Sequence, residues 1–77
     1  MIMVILLERQ SVKSCILRSV GYDDAMKNLE IEFHSGLVYQ YSGVPSKVYA
    51  DLMSSSAVGK YFSEKVRNRF RAKQLVA

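Results

Sequence analysis

At 77 residues the chain makes one small domain, able to bury only about 60% of its unfolded surface. With 49% hydrophobic and 23% charged residues it is a globular protein, which excludes a disordered or low-complexity chain. The net charge is +4, but six basic residues and one acid fall between Lys60 and Lys73, so the other 63 residues sum to −1. Such asymmetry points to an anionic partner: nucleic acid, a nucleotide or an acidic protein.

Met1–Leu7 is the longest apolar run, too short to span a membrane and without the basic start and cleavage site of a signal peptide. It is predicted as a first strand, at a sheet edge or in a subunit contact. Glu8–Ser11 reads as a polar connector, and Val12–Tyr22 as a second strand with Ile16 and Val20 among its apolar positions. The single cysteine, Cys15, permits no internal disulfide, which favours a reducing, cytoplasmic setting. At a strand centre it is expected to be a small buried apolar residue. Asp23 and Asp24 supply turn hydrogen bonds.

Leu29–Pro45 then forms a hairpin. Leu29, Ile31 and Phe33 alternate with Glu30, Glu32 and His34, the period-2 pattern of a strand buried on one face, and Val38–Tyr41 continues in β-favouring residues. Two registers fit. With Ser35-Gly36 as a two-residue turn, the preferred form, Phe33 opposes Val38, and Tyr39 and Tyr41 lie beside Glu32 and Glu30. With Leu37 added to the loop, Phe33 opposes Tyr39 and Ile31 opposes Tyr41, so both tyrosines join the apolar face.

Pro45 fits a first helical position, and Val48, Tyr49, Leu52 and Met53 share one face of the helix that follows. Ser54-Ser55-Ser56 ends it, and one of these serines is expected to cap the next helix. That last helix is predicted from Ala57 to near Arg71, with Val58, Phe62, Val66 and Phe70 as its apolar stripe. Lys60, Arg67 and Arg71 fall within about 40° of one another on its opposite side, at roughly 100° per residue.

Catalysis is poorly supplied, and neither a catalytic residue, a metal ligand set nor a cofactor is expected. His34 stands alone and, beside a hairpin turn, reads as a surface histidine. Glu30 and Glu32 share what looks like an ordinary solvated strand face. Binding is better supplied: exposed tyrosines on a strand can stack bases, and nearby lysines and arginines can hold phosphates. The candidate residues are Tyr39, Tyr41, Lys60, Arg67, Arg69 and Arg71, with Ser56 at the start of the last helix, where free N–H groups and Lys60 favour an anion. Gly59-Lys60 lacks the remainder of a phosphate-binding loop.

The ordered set of residues from Val12 to Phe70 resembles the KTSC domain, a short module that stands alone in bacterial and phage proteins and ends some lysyl-tRNA synthetases. The resemblance is carried by Ser14-Cys15-Ile16, Gly21-Tyr22-Asp23, Ser35-Gly36, Tyr39-Gln40-Tyr41, Val44-Pro45, Tyr49, Leu52, Ser56, Gly59 and Tyr61-Phe62. It implies a suspected RNA-binding role, and the phage membership implies a cytoplasm that is bacterial or that of an infected host.

The reading as a whole is α+β: an antiparallel sheet of three to four strands followed by two helices packed on one face. The expected function is a non-enzymatic binding module for RNA or a phosphate-bearing nucleotide. Two alternatives stand beside it. One is a phage-type homo-oligomer that sequesters a nucleotide immune signal. The other is a protein-interaction module that uses the apolar N-terminal strand.

Overall fold

The computed structural model describes residues 9–76. The predicted strand Met1–Leu7, with its suggested interaction role, lies outside the described residues. Five strands form one antiparallel sheet in the order β1 (Arg9–Ser11), β2 (Leu17–Asp23), β3 (Asn28–Phe33), β4 (Val38–Ser42) and β5 (Arg71–Val76). Between β4 and β5 run two helices, α1 (Ser46–Ser54) and α2 (Val58–Lys65). The α+β class is as expected, but the sheet exceeds the three to four strands anticipated, and its last strand follows the helices.

Each departure has a local cause. Arg9–Ser11, read as a connector, pairs with Gly21–Ser19 of β2 through backbone hydrogen bonds, which leave no mark in side-chain pattern. The second strand begins at Leu17, not Val12, because the Ser14 hydroxyl accepts hydrogen bonds from Ile16 N (3.1 Å) and Leu17 N (3.2 Å) and holds the chain in a turn. Cys15 is therefore exposed, against expectation, and Ile16 is 46% exposed while its neighbour Leu17 is fully buried. Pairing slips between Leu17 and Ser19, leaving Arg18 as the extra residue of a β-bulge, so that Leu17 and Val20 both face the core.

The hairpin takes neither of the two registers considered. Its loop is His34-Ser35-Gly36, closed by Phe33 N to Leu37 O (2.9 Å) and Gly36 N to Phe33 O (2.9 Å), with Gly36 at φ +96°. A left-handed residue at the end of a three-residue loop is where glycine is needed. Ile31 then opposes Tyr39 and Leu29 opposes Tyr41. The tyrosines thus share the apolar face, against the preferred two-residue turn. The glutamates look the other way.

That apolar face carries the core. Leu17, Val20, Leu29, Ile31 and Tyr41 of the sheet pack with Val44, Leu52 of α1, Val58 and Phe62 of α2, and Val66. Val48, Tyr49 and Met53 of α1 pack partly buried against it, as their spacing predicts. Pro45 caps α1 from just outside and does not open it. None of the three serines caps α2; its cap residue is Ala57, whose N–H donates to Ser55 Oγ at 3.0 Å. The last helix ends at Lys65 because Val66 departs from helical geometry at φ −120°. The chain then turns, and β5 pairs with β4, Tyr41 opposite Ala72 and Gln40 opposite Lys73.

The far face of the sheet is acidic at its centre. Glu30 is 5% exposed and pairs with Arg9 at 3.0 Å, reaching across the position of Gly21, which has no side chain to intervene. Glu32 accepts the Ser19 hydroxyl at 2.8 Å. This is not the solvated strand face expected.

Candidate nucleotide groove

Beside α2 the sheet leaves a groove of about 480 Å³, within the range of small-molecule sites. Its floor is a chain of rings contributed by β3, β4 and α2. Phe33 meets Tyr39 edge-on at 5.8 Å and Phe62 at 5.6 Å, Tyr41 meets Phe62 at 5.5 Å, and Tyr39 lies near-parallel to Tyr41 at 6.5 Å. Edge-to-face and offset pairs at these separations are the favoured ring arrangements. Tyr41 is almost fully buried and Tyr39 half-buried, so Tyr39 offers more of its ring to a ligand.

The walls come from three other places. Cys15 and Ile16 form one, from the turn before β2. The hairpin loop adds His34, Ser35 and Leu37, and the α2 side adds Ser63 and Arg67. Ser14 ties these walls together. Its carbonyl lies 2.9 Å from His34 Nε2, its hydroxyl holds the Ile16 turn, and that hydroxyl sits 2.9 Å from where a Cβ on Gly59 would stand. His34 N also donates to Ile16 O at 3.1 Å. Among the described residues no acid lines the groove.

Arg67 is exposed, and no carboxylate among the described residues pairs with it. Its backbone N–H donates to Phe62 O at 3.0 Å, which fixes the residue just past the end of α2. Burial pushes the Tyr41 phenol above its ordinary value, against an opposing pull from the Arg67 guanidinium and with a smaller upward contribution from Tyr39. A groove with a cation, hydroxyls and a ring floor suits a flat ligand carrying negative charge.

Of the residues proposed from sequence, the fold brings Tyr39, Tyr41 and Arg67 together. It disperses the others. Lys60 lies on a separate shallow hollow and approaches Glu64 at 4.0 Å. Arg69 turns its Nε to the Glu64 carbonyl at 3.2 Å. Arg71 stands on β5 opposite Ser42, on the sheet face away from the tyrosines, so the basic helical face of Lys60, Arg67 and Arg71 does not exist. Ser56 is exposed and outside the groove. Sequence reasoning missed Phe33, Phe62, His34 and Ser63 as groove residues. Only the glycine in the hairpin loop could have signalled the first and third, through the register it permits.

One further expectation is met. Asp23 Oδ1 accepts Ala25 N (3.1 Å) and Met26 N (3.2 Å), a turn role. Among the described residues no helix is long and apolar enough to cross a membrane.

The chain is similar to several known proteins. A protein of Stutzerimonas stutzeri is 38% identical over 58 residues, 75% of this chain and 82% of that one. The lysine–tRNA ligase of Nostoc punctiforme is 33% identical over 60 residues, 78% of this chain but only 11% of the ligase. A solved KTSC domain protein from Yersinia pestis superposes with a TM-score of 0.86 at 33% identity, covering 92% of this chain and all of that one. A family model described as the KTSC domain matches residues 13–70, three quarters of the chain, and on that match and that superposition the chain belongs to the KTSC domain family.

Proposed function

We propose that the chain is a non-enzymatic binding module for a nucleotide, free or within RNA, held in the groove beside α2. One observation carries the reading: an aromatic floor and an unpaired guanidinium meet in a groove that no described acid lines. A base stacked on an aromatic ring gains about 1–3 kcal/mol, and a phosphate bound by arginine adds a charge-assisted hydrogen bond. The glutamates that would have repelled the phosphate are on the opposite face of the sheet, one of them neutralised by Arg9. The lysine–tRNA ligases to which the chain is similar act, by name, on a tRNA, which supports a nucleotide ligand.

The chain has five tyrosines and no tryptophan, and two of the five, Tyr39 and Tyr41, line the groove, so part of its emission reports on it. Titration with ribonucleotides is expected to quench tyrosine emission, and Arg67→Gln to weaken the effect about tenfold, the size of one lost charge-assisted hydrogen bond. Emission that stays constant to saturating nucleotide overturns the reading.

A further inference from the structure

We propose that the groove takes one nucleotide unit, a base with a single attached phosphate, and not a run of RNA chain. This rests on the nucleotide reading above and adds the size of the ligand. Arg67 is the one cation among the described residues that line the groove, and its volume of about 480 Å³ suits one small molecule.

The remaining C-terminal cations do not continue a phosphate track away from it. The Arg69 Nε–H is committed to a backbone carbonyl. Lys60 faces Glu64 on another hollow. Lys73 lies opposite Gln40, in the row that contains Glu30, on the far side of the sheet. None of these cations lines the groove, so among the described residues a strand leaving it finds no second lining lysine or arginine beyond Arg67 to hold another phosphate.

Two sources share this chemistry: a free nucleoside monophosphate and the phosphorylated end of an RNA. The test titrates the full chain with the common nucleosides, their monophosphates and terminally phosphorylated oligonucleotides of increasing length. The best monophosphate is expected to bind about tenfold more tightly than its nucleoside, the worth of one charged hydrogen bond. The oligonucleotides are expected to bind no more tightly than the monophosphate. Weaker binding by the oligonucleotides identifies the free nucleotide as ligand, and equal binding identifies the chain end. For the oligonucleotides log affinity is expected to fall by about 0.7 per log unit of salt, one phosphate contact, and Arg67→Gln is expected to make monophosphate and nucleoside equal.

Affinity that climbs with length, with a slope of several contacts, overturns the single-unit inference and leaves nucleotide binding standing. Failure of every one of these ligands to bind removes the nucleotide reading itself.

Discussion

Tyr41 is where packing and binding meet. Its ring is 4% exposed and set against Phe62, yet it also lines the groove. Because burial raises its folded-state pKa, the native chain holds the phenolic proton to higher pH than the unfolded chain does. Stability is then intact below the unfolded tyrosine value of about 10 and falls as pH rises through the higher folded value. Tyr41→Phe is expected to flatten this alkaline decline, seen as a urea midpoint that shifts in the variant's favour relative to wild type as pH rises from neutrality. Tyr22 makes a different kind of contact. Its hydroxyl donates to the carbonyl of the fully buried Val44 at 2.6 Å, while its ring stacks on Tyr49 at 4.6 Å. Tyr22→Phe keeps the stack and strands the carbonyl, so unfolding titrations should show a loss of about 1–2 kcal/mol.

At the scale of elements, α2 and the turn before β2 are joined through Gly59 and Ser14. A methyl at Gly59 would stand 2.9 Å from Ser14 Oγ, an atom already fixed by two backbone N–H groups. Helix propensity alone favours alanine over glycine by about 1 kcal/mol, but overpacking at such a contact costs about 1–3 kcal/mol. Gly59→Ala is therefore expected to destabilise modestly. Combining it with Ser14→Ala, which removes the obstructing oxygen, should cost less than the two single changes together in a double-mutant cycle by denaturant unfolding. Neither residue's partner is visible in sequence, because the contact joins segments 45 residues apart. The strands around Leu29–Phe33 and the α1 face of Val48, Tyr49 and Leu52 were legible, since each follows its own period. The four-residue spacing of Val58, Phe62, Val66 and Phe70 misled, because it continues past Lys65 although the backbone does not. Arg71–Val76 is a strand only through its pairing with β4, a tertiary cause that local propensity does not contain.

Across the whole molecule, the sheet separates two charge environments, with the guanidinium of Arg67 on one side and the Glu30–Arg9 pair on the other. A count of charge along the sequence merged what the fold holds apart, which is why one arginine of the basic segment reaches the groove. The strand β5 is also an edge of the sheet, and Arg71 and Lys73 on it are exposed. Charged edge residues discourage pairing with another chain. Replacing both with valine should give association that rises with concentration in sedimentation experiments, while the parent sequence shows less. The bulge at Arg18 has a consequence for how such a chain can evolve. In a regular strand one residue separates two that share a face; here two separate Leu17 from Val20, and the bulge absorbs the extra one. The identity of residue 18 is loosely held, because its side chain is exposed. A mutational scan should therefore find most replacements of Arg18 within about 0.5 kcal/mol of wild type. Loss of that single codon would leave Leu17 and Val20 separated by Ser19 alone, still on one face of a now regular strand, so a variant lacking Arg18 is expected to keep a cooperative unfolding transition.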